Sequence, residues 1–350
     1  MKKQIAFLIL VLIACSCLAQ GDYRFRVVSY NVENLFDYQH DSLKNDYEFL
    51  PDATRHWDKQ KYQKKLDDLG RVIIATGEWT PPALVGLCEV ENEHCLTDLT
   101  ENSVLKEAGY RYAMTESPDQ RGIDVALLYQ REVFKPVSIR TYRVPPLSKT
   151  RNATRDVLHV TGELPNHSLL DVFVCHLPSR SGGEKESEPY RILAAGVVKQ
   201  AVDSLMQVRK KAQVIIMGDF NDYHTNRSVT EVIGAKHVTT LKADKQALYH
   251  LLAEKESTLK DYGSYRYRGE WNSLDHLIVN GRLLRQKGKF HIMPSEDAFL
   301  VKADVFQADF LLVDDERYGG KLPFRTYSGM NYQGGYSDHL PIFADFVLKY

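Results

Sequence analysis

Three strand-like segments, Val125–Tyr129, Val157–Glu163 and Leu169–Cys175, follow one another with no helical period among them. A parallel pair of strands needs a long crossover, usually a helix, so this stretch does not fit a purely parallel doubly wound sheet. Phe25–Tyr30, Ala83–Cys88, Val214–Met217, Leu274–Val279 and Ile342–Leu348 read as further strands by β-branched content and alternation. Lys59–Thr76, Leu96–Ala108 and Tyr190–Lys210 carry apolar residues three and four apart and read as helices. Together these elements predict an α/β (α+β) fold of two packed mixed sheets flanked by helices. The longest polar loop is expected near Arg285–Gly335.

With 43% hydrophobic and 26% charged residues, the chain has the composition of a globular protein and not of a disordered one. Its 350 residues suffice for one large core, and with no long linker a single domain over 22–350 is expected. Lys+Arg 45 against Asp+Glu 46 leaves a net charge of −1. The chain therefore lacks the bulk basic footprint of a salt-sensitive nucleic-acid binder, though a local basic groove is compatible with this balance.

Lys2 and Lys3, the apolar run Ile5–Ala14 and the small residues after it have the layout of a secretion signal over 1–20, too short to span a bilayer. Leu12-Ile13-Ala14-Cys15 resembles a bacterial lipoprotein box that would make a lipidated Cys15 the mature N-terminus; a cut after Ala19 is the competing reading. Export is expected either way, to a lipid-anchored membrane location or to the periplasm or exterior, with membrane contact only through that anchor. Cys17, Cys88, Cys95 and Cys175 are too few to staple a scaffold of this size, and no CxxC pair supports a thiolate zinc site. Cys88 and Cys175 lie inside apolar runs and are expected to be buried.

The polar residues fall repeatedly at the C-terminal ends of apolar strands, where α/β folds place their sites. Asn31 ends the first strand, as a turn former or a ligand. Glu89 follows an apolar run and should be partly buried, facing either a core-edge arginine or a metal. His176 ends a strand before a proline turn. After Gly218 the chain releases Asp219 and Asn221, two apart, so that both can point the same way. Asp275 lies within a strand, and Asp338 and His339 immediately precede the last one. Neighbours on an extended chain face opposite sides, so Asp338 needs a cation and His339 another acid. This set, oxygen-rich with two histidines, suits metal-assisted hydrolysis of a phosphate ester and favours Mg²⁺ or Mn²⁺, with Ca²⁺ also compatible, over zinc.

From Ser29-Tyr30-Asn31-Val32-Glu33-Asn34 to Ser337-Asp338-His339-Leu340-Pro341, by way of Gly86-Leu87-Cys88-Glu89-Val90, Cys175-His176-Leu177 and Gly218-Asp219-Phe220-Asn221, the chain resembles the endonuclease/exonuclease/phosphatase superfamily with the deoxyribonuclease-I-like fold, in its exported Bacteroidetes form. The resemblance implies a four-layered α/β sandwich with the active site at one edge. It implies that Asn31, Glu89 and Asp338 surround a divalent metal and that Asp219 and Asn221 hold the attacking water and the scissile phosphate. His339 would contact the phosphate or act as base with Asp275 orienting it, and His176 would face the leaving group, with Asp124 behind it. The expected substrates are phosphate esters, nucleic-acid phosphodiesters first and lipid or sugar phosphates as the alternative. A non-catalytic binding module on the same fold is the reading from another class. No protein partner is implied, and a monomer is expected.

Arg180, Arg191, Lys185 and Arg155 lie in or near the His176 loop and either grip phosphate or form solvated surface. The tyrosines of Tyr262–Arg268 and Tyr327–Tyr336 either stack on bases or sugars or pack as ordinary strand and loop residues.

Overall fold

The computed structural model describes residues 22–147 and 153–350; the expected secretion segment and Cys15 lie outside the described residues. Two seven-stranded sheets form the centre. The first runs in the spatial order Phe290–Ile292, Ile342–Leu348, Tyr23–Leu35, Leu84–Val90, Asp124–Tyr129, Arg111–Met114, with Ala303–Val305 also paired to Ile342–Leu348. The second runs Lys135–Tyr142, Val157–Glu163, Leu169–His176, Gln213–Asp219, Asp275–Asn280, Leu248–His250, Ala235–His237. Both are mixed. Tyr23–Leu35 lies parallel to Leu84–Val90, and Leu169–His176 parallel to Gln213–Asp219, whereas Lys135–His176 forms an antiparallel meander, as the missing helix predicts. The chain changes sheet between Tyr129 and Lys135.

The layering follows from period-two alternation in the buried strands. Val172, Val174, Ile215 and Met217 join the large core, which also holds Leu66, Leu69, Val72 and Ile73 of the helix Lys59–Gly77. Their neighbours Phe173, Cys175, Val214 and Ile216 point the other way, against Ala194, Ala195, Val198 and Val202 of the helix Glu184–Val208. Cys88 and Cys175 are buried free thiols, as expected.

Several elements depart from the sequence expectation. The helix expected over Leu96–Ala108 runs Glu93–Glu101 and is followed by a separate turn at Lys106–Ala108. Ser103 causes the break: its hydroxyl donates to the Leu99 carbonyl and accepts from the Leu105 N–H, replacing helical bonds. The last long helix begins at Glu184, upstream of Pro189, because helical bonding already starts where Ser187 N–H donates to the Gly183 carbonyl. Within the expected loop Arg285–Gly335, Phe290–Ile292 and Ala303–Val305 pair with the final strand.

One glycine is required by the site it carries. Gly218 has φ +138°, and a Cβ there would lie 1.8 Å from the Cys175 carbonyl oxygen on the adjoining strand. Only glycine allows that approach one residue before Asp219. Gly218→Ala is expected to lower stability by ~3–5 kcal/mol, read as a shifted urea midpoint. An unmoved midpoint would show that the strands can separate to admit the methyl group.

Candidate active site

The two sheets each supply half of the site. In the first, the parallel register sets Asn31 opposite Cys88, and both strands then bulge. Glu89 is the unpaired residue, with φ +68°, and the bulge lifts its carboxylate to 15% exposure between two fully buried neighbours. In the second, His176 is in register with Asp219, and Asp219 with Asp275, so the three side chains rise in a row from adjacent strands. The Ser337–His339 turn closes the gap. The Ser337 hydroxyl donates to the Asn31 carbonyl at 2.7 Å, His339 N–H donates to Ser337 Oγ at 3.1 Å, and His339 bridges to Tyr265 through the backbone.

Asp219 is the hub. Its Oδ2 accepts from Asn31 Nδ2 at 3.0 Å and lies 3.6 Å from His176 Nε2 and 3.9 Å from His339 Nε2. Its Oδ1 accepts from the Asn221 N–H at 2.8 Å. Asn31 Nδ2 also approaches Glu89 Oε1 at 3.4 Å, and Glu89 Oε2 accepts from the Asn34 N–H at 2.9 Å. His339 Nδ1 meets Asp275 Oδ2 at 2.7 Å, and the same oxygen accepts from the Ser264 hydroxyl at 2.6 Å. Asp275 as acceptor fixes the proton on Nδ1 and leaves Nε2 facing Asp219.

Burial raises the Asp219 carboxyl to about 7; nearby Asp275 adds to the rise, while His339 and the donors from Asn221 and Asn31 oppose it. Burial also works against charge on His339, but the carboxylates of Asp275, Asp219 and Asp338 outweigh it and hold the imidazolium well above its ordinary range. His176 goes the opposite way: burial, then the charges of Arg155, Arg121 and His339, push its pKa well down and keep the ring neutral. Two imidazoles around one carboxylate thus have opposite charge states, the usual physical basis for an acid/base division of labour.

Asn31, Glu89, His176, Asp219, Asn221, Asp275 and His339 therefore converge. Asn221 has φ +51°, and its amide donates to the Leu177 carbonyl at 3.0 Å, tying the Asp219 turn to the His176 loop. Asp338 finds the cation its position calls for in Arg325, at 3.2 Å, and no described contact joins it to Glu89. Arg191 is a correction: it is fully buried, donating to Asp222 at 2.6 Å, Ser187 Oγ at 2.7 Å and the Glu184 carbonyl at 2.9 Å, so its donors face the protein and not a substrate. Arg180 likewise braces the loop, donating to the Asn221 carbonyl at 2.7 Å while lying over the Tyr223 ring. Asp124 is a second correction. It accepts from Thr115 and Ser117, whereas His176 Nδ1 has no hydrogen-bond partner among the described residues.

Several residues beside the site were not singled out by sequence reasoning, Tyr265 only as one member of its tyrosine-rich stretch. Tyr265 lies against the His339 ring, with 4.9 Å between ring centres. Glu33 accepts the Thr326 N–H at 2.6 Å, and buried Lys65 donates to Thr326 Oγ1 at 2.5 Å, so both anchor the loop that leads to Asp338. The Lys65 signal was present: it stands in the stripe of Tyr62, Leu66, Leu69 and Ile73, where a lysine needs a buried partner. Arg121 donates to the Asn34 side chain at the mouth.

A divalent cation fits this donor set. Glu89 offers oxygen to the opening, Asn31 turns its Nδ2 to Glu89 and Asp219 while its Oδ1 accepts from the Glu33 N–H, and the nearest thiols, Cys88 and Cys175, point to backbone carbonyls in the interior. Glu89 faces an amide and a neutral imidazole and no contact cation among the described residues, so its charge wants a metal.

No curated protein matches this chain in sequence. Solved structures do match in fold. An endonuclease/exonuclease/phosphatase family protein of Bacteroides thetaiotaomicron is 17% identical, with 94% of this chain and 99% of that one covered at TM-score 0.58. A mannosyl-6-phosphatase of the same organism is 18% identical, with 93% and 100% covered at TM-score 0.56. The human Nocturnin catalytic domain with bound sulfate is 18% identical, with 94% and 96% covered at TM-score 0.53. Likeness at this identity establishes the sandwich fold, and the two mixed sheets agree with it. A sequence model of the family matches residues 26–348, and the chain belongs to the endonuclease/exonuclease/phosphatase family.

Proposed function

We propose that the chain is an exported, divalent-metal-dependent phosphoesterase that hydrolyses small phosphate esters at the centre around Asp219. Members of its family are hydrolases of phosphoester bonds and generally depend on a divalent metal. The observation that carries the reading is the placement of one buried carboxylate, Asp219, between a charged His339 and a neutral His176. Asn31, Glu89 and Asp338 would hold the cation, which when bound neutralises charge on the phosphate oxygens. Asp219, with its pKa near 7, takes a proton from the attacking water as the water oxygen bonds to phosphorus. The bond from phosphorus to the alcohol oxygen breaks, and that oxygen takes the proton carried on His339 Nε2, while Asp275 keeps the ring oriented. His176, uncharged, donates a hydrogen bond without adding to the charge balance.

The arginines favour small esters over a polyanion. Arg155 pairs with Asp119 at 3.3 Å, Arg191 with Asp222 at 2.6 Å and Arg325 with Asp338 at 3.2 Å, so these three are not free to follow a nucleic-acid backbone. The mannosyl-6-phosphatase with the same fold makes a sugar phosphate a natural member of the panel. Purified protein with Mg²⁺ or Mn²⁺ should release inorganic phosphate from phosphomonoesters and leave plasmid, single-stranded DNA and RNA uncut. Cleavage of nucleic acid alone would return the reading to a nuclease, and no hydrolysis of any of them would overturn it.

A further inference from the structure

We propose that the end of the sandwich opposite the active site is a docking surface for an anionic lipid bilayer, so that the protein touches the membrane through its own basic end as well as through any lipid on Cys15. Strand direction defines this end. Gln213–Asp219 starts there and finishes at the site, and a strand of seven residues spans roughly 20 Å. Tyr23–Leu35 and Leu169–His176 run the same way, toward Asn31 and His176, while Asp275–Asn280 and Ile342–Leu348 run back and finish at this end.

The loops that cap it are basic. Lys210 and Lys211 precede Gln213–Asp219, Arg282, Lys287 and Lys289 follow Asp275–Asn280, and Lys349 follows Ile342–Leu348. Bonds to backbone gather them into one surface. The Arg282 guanidinium donates to the Lys210 carbonyl at 2.8 Å, Lys349 N–H donates to the Lys289 carbonyl at 2.7 Å, and the Asn166 amide reaches from the second sheet to the Lys349 carbonyl at 3.1 Å. The five lysines are exposed, and no carboxylate among the described residues lies within ion-pair distance of them. Asp22, Glu132, Glu163 and Asp244 are the acids at this end, and Arg131 and Lys245 adjoin Glu132 and Asp244 in the chain. Glu163 is already met by His167 Nδ1 at 2.7 Å. In a chain of net charge −1 such a basic end leaves the remainder negative, a polarity that turns this end toward an anionic surface and the Asp219 centre toward water.

Exposed apolar side chains at the same end select a bilayer over other polyanions. Trp79 is 95% exposed, and its loop is fixed to the start of the first strand, where Arg24 donates to the Gly77 carbonyl and pairs with Glu78 at 2.7 Å. Val208, 89% exposed, ends the helix Glu184–Val208 immediately before Arg209 and the two lysines. Lysines meeting lipid phosphates around an indole at headgroup depth are the chemistry of a membrane interface. A nucleic acid held here would lie roughly 20 Å from Asp219, too far to be its substrate. Cys15, the expected lipid site, precedes Asp22 by seven residues, so an anchor there would hold this end, and not the Asp219 end, within about 25 Å of the bilayer.

The test uses protein beginning at Asp22, which carries no lipid and keeps both cores, built between Phe25 and Leu348. Its binding to vesicles of equimolar phosphatidylglycerol and phosphatidylcholine should exceed that to phosphatidylcholine alone at least ~10²-fold and fall as salt is raised. Lys210→Glu with Lys211→Glu, and separately Lys287→Glu with Lys289→Glu, should each weaken that binding at least ~10-fold. Lys59→Glu with Lys185→Glu makes the same charge change at the far ends of the helices Lys59–Gly77 and Glu184–Val208 and should leave binding within ~3-fold. Trp79 emission, taken as the difference between wild type and Trp79→Phe, should move to shorter wavelength on the anionic vesicles. No preference for the anionic vesicles, an equal loss in the Lys59/Lys185 variant or an unmoved Trp79 emission would overturn the proposal. Retention of duplex DNA without vesicle binding would make this end a nucleic-acid surface and overturn it as well.

Discussion

Replacing His339 with alanine, or Asp219 with asparagine, should lower turnover at least ~10²-fold without unfolding the protein, as removal of a positioned proton-transfer group does. Each variant removes one member of the pair His339 Nε2 and Asp219 Oδ2, 3.9 Å apart, which the proposed chemistry uses side by side. His339→Ala leaves Asp275 still held by the Ser264 hydroxyl, and Asp219→Asn keeps the side-chain volume and an acceptor for the Asn221 N–H. Asp219→Asn carries its own stability signature. Burial raises that carboxyl from its ordinary 3.8 to about 7, so the folded state binds the proton more tightly than the unfolded chain does. The carboxyl therefore costs stability progressively as pH rises through that window, and the full cost is present above about pH 7. In metal-free protein, Asp219→Asn should melt at or above the wild-type temperature at pH 8, with the difference shrinking toward pH 5. Near-normal turnover in either variant removes these residues from the proposed chemistry, whatever the melting data show.

Chelation by EDTA should abolish hydrolysis, and Mg²⁺ or Mn²⁺ should restore it, because the hydrolysis generates charge that Asp219 and the two imidazoles cannot offset alone. The same addition should raise the melting temperature of the chelated protein, since the cation binds only where folding has brought Asn31 to Glu89. Glu89→Gln should weaken both effects together, by an order of magnitude or more in the metal concentration required, as loss of an anionic ligand to a hard cation does. Full activity after exhaustive chelation would exclude a catalytic metal, and a melting temperature indifferent to Mg²⁺ and Mn²⁺ would move any such ion away from Glu89.

Apart from the first strand, which runs on from the expected Tyr30 to Leu35, the long apolar strands were readable to within a residue or two because burial on both faces demands an apolar run. Val157–Glu163 and Ile342–Leu348 carry the expected bounds. Lys135–Tyr142 escaped notice because it is an edge strand with mostly exposed side chains, and edge strands need no apolar face. The catalytic candidates were readable for a related reason: a charged or amide side chain directly after a buried run has few structural uses. The loop anchors were not, since Glu33 and Lys65 act on Thr326, 293 and 261 residues away, and even where a buried lysine signals a partner the sequence does not say which residue it is. Arg191 misled because basic residues near a site commonly face solvent, whereas this one is buried against Asp222.

Periodicity and strand-end chemistry pointed to the two mixed sheets and to the polar residues that the fold gathers at one edge, because both follow from how local backbone geometry sorts apolar from polar side chains. Which of those residues meet, which imidazole is charged, and which arginines are left for a substrate were decided only by the tertiary structure. Those properties depend on distances of a few ångströms between strands far apart in the chain, where Coulomb interaction and desolvation vary most steeply.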